Sequence, residues 1–507
     1  MSVKRIAGNV VWNCAGMGAN LMAGFVVVPF LVRHLGQTVY GLWILVASFT
    51  NYFSLLDLGI RAAVGRHIAF HKAKGDVEGF NATVNTAMLI LGVCGILALL
   101  ATLGIMLVFF RLYVVPPEQA AAVRIALVLV GVNLLLWLPL NMFDAMLWAM
   151  QRFDLINAVD ISGALLRVGL IIWWVGHGGG LVALGVIQLL SLAGMQAIKA
   201  AVAIKLDRTL RISFRHITKT AARGLAGMGF WNLMLATADV VGGEAPPMIV
   251  GARLGVPLVT PYSIAARLVG YGRDFLIAST GVLTPMAIAN HAEEKHANQR
   301  KLFIEGSKFC MALAILCVVA FVVLGKTIIG LWVGPSLEYS WNLLVILVVG
   351  EALPMSQWVA YSVILGQYHH RILGQMNLLD ICLSVCLALI LVGHWGLVGV
   401  CVGFVLPGTL LRGVFQLVFA CRLVKVSAGE YLKSVAAPVL TAALLPTAAL
   451  VLAAHWRRPE SWLDLILYGG LFGIIYLAIM ASALGYHTAV RRQLALRSAV
   501  PPEVAGA

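Results

Sequence analysis

Five arginines fall where an apolar chain has little reason to carry charge. Arg61, Arg167, Arg267, Arg273 and Arg412 each lie inside a hydrophobic stretch. A charge at the centre of a bilayer costs roughly 2.5–3.5 kcal/mol on insertion scales, so such groups face a bundle interior or water and find partners. Seven acids share that depth: Asp57, Asp160, Asp239, Glu244, Asp274, Glu351 and Asp380. A guanidinium stays charged and grips phosphate through two parallel hydrogen bonds, which a lysine cannot do. The in-span cations all read as arginine, so the chemistry on offer is capture of a phosphate or pyrophosphate at membrane depth. The carboxylates would serve ion pairing or ion coupling.

Spacing sorts these residues. Arg167 and Arg267 lie near mid-span with no acid three or four residues away, which leaves them for a ligand or for an acid on another helix, such as Asp239, Glu244 or Glu351. Arg267, Tyr271 and Asp274 follow an i, i+4, i+7 pattern, one polar stripe on a helix. Arg273 points off that stripe. Asp57 and Arg61 are four apart, the spacing of a local ion pair. Asp160 and Asp380 are expected in the first turns of their helices, where a carboxylate complements the helix dipole. The candidate substrate-binding set is therefore Arg61, Arg167, Arg267, Tyr271, Arg273 and Arg412, and the candidate coupling or ion-pair set is Asp57, Asp239, Asp274 and Glu351.

Enzyme chemistry finds less support. His67 and His71 have helical i, i+4 spacing, but the stretch His-Ile-Ala-Phe-His lacks the glutamate of a zinc protease motif. Gly325-Lys326-Thr327 resembles the end of a phosphate loop, yet Ala320 stands where that motif needs glycine. The eight cysteines lie in apolar segments without metal-type spacing. The reading gives no catalytic residue, no metal site and no cofactor. Work done by this chain would draw on a gradient or on the substrate's own free energy.

The elements that must hold these residues follow from composition. Of 507 residues, 61% are hydrophobic and 11% charged, and mean hydropathy is +0.94. Soluble domains run to about 45–50% apolar and about 25% charged. About 20 apolar residues cross a bilayer as a helix, and fourteen such spans fit, the first two over 9–32 and 40–63 and the last two over 432–454 and 462–485. The net charge of +15 would suggest nucleic acid in a soluble protein. Here it sorts by topology: with the N-terminus inside, about 24 of the 36 Lys and Arg fall on the cytoplasmic side and about seven outside. That bias predicts N-in and C-in. Lys4 and Arg5 precede an apolar run that continues to Val32, read as an uncleaved first span.

Internal echoes predict a duplicated plan. Ala252-Arg253-Leu254-Gly255 echoes Arg33-His34-Leu35-Gly36, Leu138-Pro139 matches Leu353-Pro354, and Gln151-Arg152 matches Gln367-Tyr368. Asp160 and Asp380 follow in the same order, all at offsets near 215–220. Six spans per copy would place both copies in the same orientation, as parallel lobes. The expected domains are a first lobe over 1–204, a basic cytoplasmic linker over 205–220, a second lobe over 221–421, and two further spans with a basic tail over 422–507.

Motifs concentrated in residues 1–80 carry a resemblance. They are Pro29-Phe30-Leu31, Leu35-Gly36, Tyr40-Gly41-Leu42-Trp43, Asp57-Leu58-Gly59, Arg66, and Ala73-Lys74-Gly75-Asp76. With the span count, they make the chain similar to Wzx-type oligosaccharide flippases of the multidrug/oligosaccharidyl-lipid/polysaccharide exporter superfamily. The resemblance implies an all-α integral membrane protein, two parallel six-helix lobes around a central cavity, and two C-terminal helices. It also implies an undecaprenyl-pyrophosphate-linked oligosaccharide as substrate, flipped across the bacterial inner membrane by alternating access under an ion gradient. The lipid bilayer and the lipid-linked glycan are the expected partners, with a polysaccharide polymerase and glycosyltransferases as candidates and no nucleic acid. Competing readings are a cation-coupled drug antiporter of the same superfamily, a membrane glycan polymerase or ligase, and a non-transporting scaffold. The antiporter would favour buried acids over arginines, and a polymerase would need a large outer loop.

Overall fold

A backbone amide in hydrocarbon has no water to bond, so a segment this apolar crosses a membrane only as a helix or within a closed barrel. In the computed structural model every regular element among the described residues is helical. Residues 3–57, 60–227 and 230–498 are described, with backbone alone at 3–11, 13, 14, 54, 57, 60–62, 226, 227, 230–233, 235, 484 and 486–498.

The first half runs α1 (Val3–Phe53), α2 (Ile60–Lys74), α3 (Val77–Leu112), α4 (Pro117–Ala149), α5 (Phe153–Gly176) and α6 (Leu181–Leu206). A connection then leads to α7 (Lys219–Gly227) and α8 (Phe230–Arg253). Next come α9 (Val259–Thr280), α10 (Leu283–Ala292), α11 (His296–Val333), α12 (Ser340–Ser356) and α13 (Trp358–Gly366). The chain ends with α14 (His370–Gly408), α15 (Gln416–Leu423), α16 (Ala428–Tyr431), α17 (Ala437–Trp456) and α18 (Trp462–Ser498), with π-helical turns at Thr409–Phe415 and Leu432–Ala436.

Local chemistry sets several boundaries. Pro117 opens α4 at a position whose amide would be unpaired anyway. The Asp76 carboxylate caps α3 by accepting from the Gly79 amide at 2.8 Å, and that bond, with a second from His71, holds its carboxyl below the usual range. Gly36, at φ 75°, breaks α1, and Gly396, at φ 56°, breaks α14. Both are conformations a side chain resists. A 51-residue helix would run about 75 Å at 1.5 Å per residue, far beyond a hydrocarbon core of about 30 Å, so α1 needs its break.

Among the described residues ten helices are long and apolar enough to span, or eleven if the bent pair α9 and α10 counts as one span. Dividing α1 and the α14–α15 stretch at their glycines gives thirteen, close to the fourteen spans expected. The left-handed residues also recur in register: Gly36 with Gly255, Gly75 with Glu294, Gln151 with Tyr368, and Gly178 with Gly396. Each pair is 217–219 residues apart, the offset at which the sequence echoes itself.

Two compact units emerge, one of Met1–Ser263 with Asn377–Phe404, the other of Ile264–Met376 with Val405–Ala507. In the first, α3 packs on α4, α4 on α6, and α5 on α1 and α6. In the second, Leu276 of α9, Leu313, Ala314 and Cys317 of α11, and Met355 of α12 form a buried cluster. There α17 and α18 rest on α11, where the buried Tyr476 hydroxyl donates to the Ala312 carbonyl at 2.8 Å.

Candidate functional site

Packing of α4, α5 and α6 brings together three charges. The Lys199 ammonium donates to Asp144 Oδ1 at 2.8 Å and lies 2.8 Å from Asp160 Oδ1. The Lys199 and Asp144 side chains are 5% and 4% exposed, whereas Asp160 is 36% exposed. A buried ammonium is tolerable only with such partners, and two carboxylates around one cation leave the cluster with a net negative charge. Arg167 is half-buried two turns further along α5 on the face of Asp160.

Two expectations need correction here. Asp160 and Asp380 do not sit in first turns: α5 begins at Phe153 and α14 at His370, directly after the left-handed turns at Gln151 and Tyr368. Neither carboxylate therefore complements a dipole. The in-span cations are also not all arginine, since Lys199 and Lys308 are 4% and 3% exposed inside helices. Lys308 is paired to Glu305 at 2.9 Å. Lys199 and Asp144 are the residues that the sequence reading missed. Lys199 falls seven residues before the end of α6, where a lysine can reach water by snorkelling. Two acids on separate helices lacking a local partner were the available signal.

In the second unit the stripe on α9 forms as its spacing predicts. Ala265, Leu268, Val269, Gly272 and Leu276 are buried on one face. Arg267 and Asp274 stand on the opposite face, with Tyr271 beside them. The Arg267 guanidinium lies 5.6 Å from the Tyr271 ring centroid, in cation–π range. Arg267 and Arg273 are exposed; Tyr271 and Asp274 are half-buried. The Tyr271 ring leans on Trp332 of α11, centroids 6.3 Å apart.

Arg412 pairs with Glu351 of α12 at 2.9 Å, their side chains 30% and 18% exposed. Arg412 lies within the first π-helical turn, which follows Pro407. Proline withholds an amide from the ladder, and the widened turn answers it. Thr409 ties the same turn to α12 by donating to the Gly350 carbonyl at 2.8 Å.

The remaining acids are scattered. Glu244 accepts from Asn51 at 2.6 Å, Asp239 is exposed on α8, and Asp380 accepts from Ser384 at 3.3 Å. The side chains of Asp57 and Arg61 lie outside the described residues, so their expected pairing does too. No group of three His, Cys, Asp or Glu suited to a metal occurs among the described residues. An apolar cavity of about 440 Å³ between α17 and α18 is lined by Pro446, Leu450, Leu467 and Phe472 among others. It offers no charged group to an anion.

Comparisons with known proteins fit this geometry. A family model described as "Polysaccharide biosynthesis protein" matches residues 6–291. A "Putative O-antigen transporter" of Shigella flexneri is 21% identical over 423 residues, covering 81% of this chain and 97% of that protein. Among solved structures, an inward-facing multidrug resistance MATE family transporter of the MOP superfamily superposes with a TM-score of 0.70 at 15% identity, covering 80% of this chain and 94% of the other. A MOP superfamily transporter from Pyrococcus furiosus, described as having a binding pocket of reversed polarity, gives a TM-score of 0.60 at 15% identity over 83% and 96%. The chain thus has the helical fold of that superfamily.

Proposed function

The chain belongs to the polysaccharide biosynthesis protein family, and from that premise we propose that it flips undecaprenyl-pyrophosphate-linked oligosaccharide across the bacterial inner membrane by alternating access. The substrate would feed surface or exported polysaccharide synthesis, and the protein acts as a transporter rather than an enzyme. The single observation that carries this reading is the open face of α9. Arg267 and Asp274 point away from the packed side of their helix, and Arg273 is exposed beside it. Charge at membrane depth cannot be left against lipid tails. It requires water or an anionic guest, and the Arg267 guanidinium beside the Tyr271 ring suits a pyrophosphate carrying sugars.

In this proposal Arg167, Arg267, Tyr271 and Arg273 meet the substrate, and Arg61 joins them. Arg412 is held by Glu351 until substrate or conformation releases it. Coupling falls to carboxylates: Asp57, Asp239, Asp274 and Glu351, joined now by Asp144 and Asp160 around Lys199. Two six-helix lobes joined by the 205–220 linker, with N-in and C-in topology, complete the scheme. The recurrence of left-handed residues at 217–219 positions supports the duplicated plan. A second reading, a cation-coupled drug antiporter, draws on the buried Asp144 and the half-buried Asp160, acids which that class would favour.

The test replaces Arg167, Arg267 and Arg273 singly with Ala and with Lys in a host whose surface polysaccharide depends on this gene. Export should fall at least ten-fold in the alanine variants of Arg267 and Arg273, at unchanged membrane abundance. Lysine should restore it only in part. Normal export by all six variants would remove the site, and drug resistance conferred without glycan export would favour the antiporter.

A further inference from the structure

The connection between α6 and α7 is held as a ribbon along α3, without helix over residues 210–213 and closing in a 3-10 turn at Phe214–His216. Asn81 Nδ2 donates to the Thr209 carbonyl at 3.1 Å, and its Oδ1 accepts from the Arg211 amide at 2.6 Å. Asn85 repeats the pattern with the Arg211 carbonyl and the Ser213 amide, both at 2.8 Å. The match is geometric: four residues of helix rise about 6 Å, and two residues of extended chain cover about 6.6 Å. Thr86 accepts from the Thr218 amide at 3.2 Å, and Lys72 pairs with Asp207 at the ribbon's start.

The ribbon carries Arg208, Arg211 and Arg215, followed by Lys219 at the start of α7, all exposed and none in an ion pair among the described residues. Between them stand Ile212 at 55% and Phe214 at 84% exposure, outside the membrane-spanning helices. Asp207, the acid of this stretch, is already taken by Lys72. Cations interleaved with an apolar wedge, fixed at the end of a spanning helix, match an anionic lipid surface: phosphodiesters meet the cations while the apolar side chains enter the acyl boundary.

We propose that the 208–219 ribbon is a docking surface for anionic phospholipid headgroups of the adjoining leaflet. It shares with the proposed flipping only the placing of this connection on the cytoplasmic side. Its test needs no transport, so the two can fail separately.

The full chain, delipidated in neutral detergent and re-exposed to equimolar phosphatidylglycerol and phosphatidylcholine, is weighed intact by mass spectrometry. Phosphatidylglycerol should be retained preferentially. Arg208→Gln, Arg211→Gln and Arg215→Gln together should cut the preference by about five-fold per charge removed. Arg457→Gln with Arg458→Gln, two exposed cations elsewhere, should leave it unchanged. Asn81→Ala with Asn85→Ala should weaken it with every cation in place; should that pair compromise folding, the surface arginine set decides alone. Equal retention of both lipids, a preference that survives the triple substitution, or an equal loss in the Arg457/Arg458 control would overturn the proposal. So would a triple variant whose export fails while its lipid preference persists, which would point to an acidic soluble partner.

Discussion

At the scale of single residues, the Lys199 cluster makes the sharpest demand. Removing one member of a buried ion pair strands its partner at a cost of about 3–5 kcal/mol. Lys199→Met should therefore lower thermal stability in detergent strongly, by more than any single carboxylate change. Asp144→Asn should cost more than Asp160→Asn, because the Asp160 side chain is 36% exposed and can be hydrated. Lys199→Met combined with Asp144→Leu should recover part of the loss, since well-packed apolar groups often replace a buried pair without cost. Equal melting temperatures for all four variants would show that the three side chains do not share a dry site. Asp160 was legible in the sequence as an acid at depth, but its cation was not: Lys199 reads as a residue near a helix end, and only the packing of α4, α5 and α6 turns it inward. Arg267, Tyr271 and Asp274 were legible because one helix's period alone puts them on a face.

At the scale of elements, the breaks matter. Gly36 has φ 75° and ψ 170°, a region that only glycine enters readily and that costs an ordinary residue roughly 1–3 kcal/mol. Gly36→Ala and Gly36→Asn should both lower the melting temperature and the folded yield, because at ψ 170° asparagine loses the advantage it has in the left-handed helical well; unchanged melting in both would show that the break does not depend on glycine. The α6–α7 connection gives a pH prediction. Burial pushes the Asp207 carboxyl up, but hydrogen bonds from Lys72 and Thr209 outweigh it and leave the carboxyl below its usual range. A depressed carboxylate stabilises the folded form above its unfolded pKa and loses that contribution as pH falls. Amides at Thr209, Arg211 and Ser213 should stay protected from hydrogen exchange near neutrality and lose protection below about pH 4. Asp207→Asn should reduce protection at neutral pH, and unchanged exchange would show that the asparagines hold the ribbon alone. Glycine punctuation made this element readable: Gly36 falls between the expected spans 9–32 and 40–63. The π-helical turn that carries Arg412 was not readable, because Pro407 signals a kink without saying which way the ladder widens.

At the scale of the whole molecule, the fold was legible because length, hydropathy and the internal echo all constrain the same answer. The substrate is less constrained. The matched transporters share the fold at 15% identity, so chemistry must come from this chain's own charges. An anionic substrate also makes transport sensitive to the sign of those charges. Arg267→Glu should abolish export more completely than Arg267→Ala, with both measured against a variant of the exposed Arg457 that should export normally.

The most direct measurement places the purified chain in sealed vesicles loaded on one side with radiolabelled undecaprenyl-pyrophosphate oligosaccharide. Appearance of the glycan on the opposite side is then followed with an impermeant glycan-modifying enzyme. The account predicts protein-dependent translocation of the pyrophosphate-linked lipid under an ion gradient, reduced at least ten-fold by Arg267→Ala with Arg273→Ala. Translocation at wild-type speed by that double variant, or none above empty vesicles with the native protein, would contradict it.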